Sequence, residues 1–355
     1  MTLANASGTT THRGDSSSPT PVRCSPARRR AAGLVVALVL LVVVAVLSLL
    51  IGSKAIAPSV VWDALFDPSP LPDQFSVSDY RLPRTVVGLV VGAALGLSGA
   101  LIQALTRNPL AEPGILGVHA GASFAVAVAI GLLGITSIEG YLWFGFAGAL
   151  IVTIMVLLLG STRRGRSAVL MVLAGVSVGA MFGGATTALT LIDPDAFDQM
   201  RDWHAGSVVG RPLDVVWPIL PFFALALFLA FAVSGSLNAM ALGDELAAAQ
   251  GARLVRTRIL AVLALTLLAG GATAIAGPIG FVGLMIPHVA RWIVGPDQRW
   301  IFACSLLLAP SLLLASDILG RVAMYPGEIP VGIVTAFLGA PILVVLVRRK
   351  KASRL

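Results

Sequence analysis

Runs of about 20 apolar residues recur along this chain, and a bilayer core of about 30 Å takes roughly that length of helix per crossing. They fall near 31–52, 83–105, 114–134, 140–160, 167–192, 214–236, 258–276, 278–295, 300–319 and 330–347. Composition agrees: of 355 residues 57% are hydrophobic and 12% charged, with a mean hydropathy of +0.92, where soluble domains carry about a quarter charged residues. The expected fold is therefore an all-α polytopic membrane protein of about ten transmembrane helices. The break at 276/278 and the short third run are its least regular features.

Residues 1–30, rich in Ser, Thr, Pro and Arg without apolar periodicity, read as a disordered cytoplasmic tail, and 31–350 as one transmembrane domain. The first run follows Arg28, Arg29 and Arg30. It is too long for a signal-peptide core and lacks a small-residue cleavage site, so it reads as a retained helix. With the N-terminus inside, 19 of the 25 Lys and Arg fall in inner segments, which orients both termini to the cytoplasm. The net charge of +8 follows from that bias and does not indicate nucleic acid. An odd helix count would strand one basic end outside.

Several chemistries find no residues here. The three lysines, Lys54, Lys350 and Lys351, are not part of a GxxxxGK[ST] phosphate loop, so this chain is not expected to hydrolyse ATP. The four histidines, His12, His119, His204 and His288, have no two at i,i+3 or i,i+4, and Cys24 and Cys304 have no ligand-spaced neighbours. No catalytic residue, metal or cofactor is assigned. Carboxylates lie almost entirely in loops, Asp317 near an outer helix end being the partial exception. That pattern argues against an ion-coupled secondary transporter, which needs them at mid-membrane.

Five stretches stand out. Arg81-Leu-Pro-Arg84 opens a small-residue helix with Gly92-xxx-Gly96, which ends at Arg107-Asn108-Pro109, and Pro113-Gly114 precedes the next run with Gly117-xxx-Gly121. Such strips let another backbone approach, and Asn108 suits a cap at the bend. Leu242-Gly243-Asp244-Glu245, followed by Ala247 and Gly251, forms a helix of about two turns, too short to stand alone. The pattern fits a surface turn and a docking helix equally. Gly277-Pro278 to Gly283, then Pro287, His288 and Arg291, make a glycine- and proline-broken segment in which His288 reads as a packing residue that hydrogen-bonds between helices. Asp317 and Arg321 form an i,i+4 pair, ahead of Glu328, Pro330 and Pro341. In the fifth run, Ser177, Gly179, Gly183, Thr186 and Thr187 make a face of small and hydroxyl residues, open to helix packing and to pore lining. Trp62, Phe66, Trp203 and Trp217 in the outer loops read as an interfacial aromatic belt.

The strings RLPR, NPLAEPGILG, LGDELAAAQG, GPIGFVGLMIPHVAR and EIPVGIVTAFLGAP, in this order, resemble the FecCD-type permeases of iron-siderophore, haem and vitamin B12 importers. Ile342 stands where an aromatic is common. The resemblance covers roughly 33–350. It implies a permease paired with an identical or paralogous second permease in the bacterial plasma membrane. Two cytoplasmic ABC ATPases that use ATP and Mg would power it, and an extracytoplasmic binding protein would deliver a ferric siderophore, or else haem or a cobalamin-like corrinoid. It also implies that Leu242–Gly251 couples to the ATPase and that Arg81, Arg84 and Arg321 receive acidic residues of the binding protein.

Overall fold

The computed structural model describes residues 26–52, 56–67, 71–162, 165–166, 168–324 and 326–348. The expected disordered tail falls, up to residue 25, outside the described residues, and its last five positions, 26–30, are instead helical as the start of α1. Ten apolar helices carry the fold: α1 (Pro26–Leu50), α2 (Leu82–Thr106), α3 (Val118–Gly131), α4 (Ile138–Leu159), α5 (Ala168–Ile192), α6 (Leu220–Ala241), α7 (Leu254–Ala276), α8 (Val282–Val294), α9 (Gln298–Ala323) and α10 (Val331–Arg348). Seven are long and apolar enough to cross a membrane, and α3, α8 and α10 are shorter apolar helices. Each expected run overlaps one of them.

Backbone contact between small residues sets the packing. The central α2 lies against α7, α8 and α9. Gly92 faces the backbone of Pro310, Gly96 the carbonyl of Ser305, and Gly99 the carbonyl of Gly283. Pro287 has no N–H to give the Gly283 carbonyl, so α2 lies where α8 misses an internal hydrogen bond. Gly121 and Gly148 make the same close approach between α3 and α4. Without water to satisfy exposed backbone, membrane helices gain by packing as closely as their side chains allow.

Helix starts differ from expectation where local turns intervene. α3 begins at Val118, not 114, because Pro113–Leu116 forms a 3-10 turn and Gly117 turns left-handed at φ 76°. α6 begins at Leu220, not 214, after a second 3-10 turn, Leu213–Val215. Short helices Pro58–Phe66 and Pro194–His204 occupy connections read as loops. Trp203 leaves the aromatic belt: it is 2% exposed and joins the core, whereas Trp62, Phe66 and Trp217 are exposed.

The ends of the bundle differ in charge. One, here the basic end, exposes Arg28, Arg29, Arg107, Arg253 and Arg256, while the other, the acidic end, exposes Asp63, Asp67, Asp195, Asp198, Asp214 and Glu328.

Candidate functional site

At the acidic end the three arginines expected to face a partner turn inward. Arg81, Arg84 and Arg321 are 7%, 8% and 2% exposed. Arg84 grips Asp317 through Nε (2.9 and 3.0 Å) and Nη2 (2.7 Å), and its Nη1 donates to Glu328 at 2.6 Å. Arg321 donates to the other side of Asp317, to the Ser48 carbonyl at 2.8 Å and to the Ile51 carbonyl at 3.0 Å. Arg81 donates to the carbonyls of Leu49 and Leu50, both at 2.8 Å. The last carbonyls of α1 have no partners within the helix, and two guanidinium groups supply them. The expected exposed surface is thus corrected: these cations lock α1, α2 and α9 together, because burying a charge is tolerable only when it is paired. The Asp317–Arg321 pair forms as its spacing predicts.

The turn after α2 and the break before α8 meet inside the bundle. Asn108 Oδ1 accepts from the Leu110 N–H at 3.0 Å, capping the bend as expected. Pro113 and Gly114 belong to the following 3-10 turn, and Pro113 Cδ lies against Gly283. With 13 residues, α8 is about 20 Å long, short of a full crossing, so Gly277–Phe281 runs as irregular backbone at depth. Irregular backbone survives there only inside protein, and Gly277 and Ile279 are buried. Gly277 takes φ 75°, and Pro278 O lies against Gly206. Two side chains hold this segment from the α2 side. Gln103 donates to the Leu284 carbonyl at 3.0 Å and accepts from Arg291 at 3.2 Å. Glu112 Oε1 accepts from the Phe281 N–H at 2.9 Å. Sequence reasoning singled out neither Glu112 nor its partner; the available signal was an acid between two prolines in an apolar turn. His288 does not hydrogen-bond across helices among the described residues. Its ring stands edge-on to Trp292, 4.6 Å away.

At the basic end, Asp244–Ala249 forms the expected short helix. Gly243 (φ 116°) and Gly251 (φ 83°) bound it in left-handed backbone, which glycine adopts without side-chain strain. Ala247 is its buried anchor, while Leu242 and Leu246 point outward as exposed apolar groups, beside exposed Glu245. Asp244 tethers the helix to two others, accepting from Arg107 at the end of α2 and from Arg258 of α7 at 2.5 Å.

The hydroxyl face of α5 is split. Gly183, Thr186 and Thr187 line a cavity of about 430 Å³ with Ser123, Thr190 and His204, while Ser177 and Gly179 lie outside it. Thr186, Thr187 and Thr190 give their protons to carbonyls of their own helix, at 2.8, 3.0 and 3.1 Å. What remains free on these three threonines is oxygen lone pairs, so they accept hydrogen bonds.

Comparison with known proteins identifies the family. The FecCD transport family profile matches residues 40–349. The chain is 48% identical over 314 residues to the ferric enterobactin transport system permease protein FepD of Escherichia coli (strain K12), covering 88% of this chain and 94% of FepD. It is 39% identical to the iron(3+)-hydroxamate import system permease protein FhuB of Bacillus subtilis (strain 168), covering 90% and 83%. Among solved structures it superposes with TM-score 0.78 and 30% identity on a metal-chelate type ABC transporter in an inward-facing conformation, covering 90% of this chain and 99% of that one. The chain belongs to the FecCD transport family.

Proposed function

We propose that this chain is the permease subunit of an ATP-binding-cassette importer for a ferric siderophore. The observation that carries the reading is the family match, together with a short, glycine-bounded helix held at the basic end with its leucines outward. By the positive-inside bias the basic end faces the cytoplasm. Two ATPase subunits dock there, each taking the Asp244–Ala249 helix of one permease. A second permease copy or paralogue completes the translocation path, and the cavity wall of Gly183, Thr186 and Thr187 faces it. An extracytoplasmic binding protein delivers substrate at the acidic end. The relatives' names favour ferric siderophores over haem or a corrinoid.

The chain's part in transport is mechanical: it holds the path closed or open, and the partner ATPase supplies the energy from ATP. Reconstitution with the ATPase and binding protein tests this. Uptake of a ferric siderophore into proteoliposomes should require ATP on the basic-end side and continue when proton and sodium gradients are collapsed. Uptake driven by an ion gradient without ATP would overturn the reading.

A further inference from the structure

We propose that Glu112 is the positioning residue through which the ATPase-docking helix controls the broken segment between α7 and α8, with Phe281 as its receiver. The inference rests on the importer reading above. Phe281 and Arg107 are the two non-glycine residues with left-handed backbone among the described residues, at φ 67° and φ 52°. A bulky residue stays in that region only where its surroundings hold it. Phe281 is held from two sides: Glu112 accepts its N–H, and its ring lies against Gly339 of α10, where no Cβ would fit.

The other left-handed residue lies at the far end of the same turn. Arg107 bonds Asp244, the first residue of the docking helix. Between Arg107 and Glu112 the chain is short and stiff, fixed by Pro109 and by the Asn108–Leu110 hydrogen bond. A displacement of the docking helix therefore pulls on Arg107, and the turn delivers it to the Glu112 carboxylate. If Glu112 withdraws, the part-buried Phe281 N–H loses its acceptor, a loss the backbone avoids by rotating out of the left-handed region. That rotation moves the Phe281 ring away from Gly339 and frees α10. Phe281 is thus a two-state element biased from the docking helix, which a claim of transmission needs.

The test uses the complete importer in proteoliposomes and reads siderophore transported per ATP hydrolysed. Glu112→Ala should lower that ratio by about tenfold, the size of a lost buried acceptor. Glu112→Gln keeps an acceptor oxygen and should stay within about twofold of wild type. Glycine at 281 has no ring to move against Gly339 and tolerates left-handed backbone, so on a Phe281→Gly background Glu112→Ala should change the ratio by less than about twofold. Hydrogen exchange on the purified permease gives a second reading that needs no transport: Arg107→Ala and Asp244→Ala should raise exchange at Phe281–Met285, as Glu112→Ala does. Equal effects of Glu112→Ala in both backgrounds, or exchange unchanged in the Arg107 and Asp244 variants, would overturn the relay. Absence of ATP-dependent uptake in wild type would instead overturn the importer reading, leaving the exchange experiment to decide the relay.

Discussion

Asp317 accepts from two guanidinium groups in a site from which water is excluded, and that geometry fixes what its partners are worth. Removing one partner from a buried ion pair typically costs about 3–5 kcal/mol, because the survivor is left charged and unpaired. Asp317→Leu, which takes the shared carboxylate from Arg84 and Arg321, should therefore lower the melting temperature of the purified permease sharply and reduce its folded yield. Replacing all three, Arg84→Met and Arg321→Met with Asp317→Leu, should cost less than Asp317→Leu alone, since no buried charge is stranded. An unchanged melting temperature in Asp317→Leu would show the network to be idle. The same argument bears on binding-protein docking. Glu328, the outermost member, is exposed and holds Arg84 at 2.6 Å, so an acidic residue of a partner reaches Arg84 only by displacing Glu328.

Among the elements, the Asp244–Ala249 helix has the most exacting local chemistry. Both ends need positive φ, and at Gly251 (φ 83°) open space surrounds the missing Cβ. A β-branched residue there strains the backbone without any clash, so Gly251→Val should tilt the helix about its Ala247 anchor. Binding-protein-stimulated ATPase activity and uptake, measured on one preparation, should separate: hydrolysis persists while uptake falls by roughly tenfold, the effect of a backbone penalty of about 1–2 kcal/mol. Normal uptake in this variant would sink the coupling role. This helix was legible in the sequence because its signals are local: Gly, two acids, three alanines and Gly within ten residues. The ten spans were legible for the same reason, each being a run long enough to be read by itself. The starts of α3 and α6 were not, since a 3-10 turn and a membrane helix share their apolar composition. Long-range pairing was also hidden. Arg84 meets Asp317 across 233 residues and Glu112 meets Phe281 across 169, and no periodicity encodes such distances. The arginines looked like surface groups because basic residues near helix ends usually are. Only the fold reveals that the unpaired carbonyls of α1 end beside them.

Across the whole molecule, two helices at the edge of the bundle differ in what they expose. The outward face of α1 is branched aliphatic, with Val35, Val36, Val39, Val42 and Val43 all exposed, and suits lipid chains. α5 is also largely exposed, but it shows Gly183 and Gly184 with nothing within 4 Å of where a Cβ would stand, beside exposed Thr187. Lipid gains nothing from a glycine, whereas a neighbouring helix gains a close backbone approach. The α5 face is therefore expected to meet the second permease, and α1 to meet the bilayer. Gly184→Leu should block that approach. Overpacking of this kind costs about 1–3 kcal/mol, enough to shift a dimer equilibrium by roughly tenfold or more. Since no residue of the same chain is crowded, the monomer should keep its helix content and melting temperature. Mass measurement by light scattering in detergent, at several protein concentrations, separates the outcomes. A dimer fraction unchanged in Gly184→Leu would assign α5 to lipid, while a comparable loss from Val39→Gly would move the interface to α1.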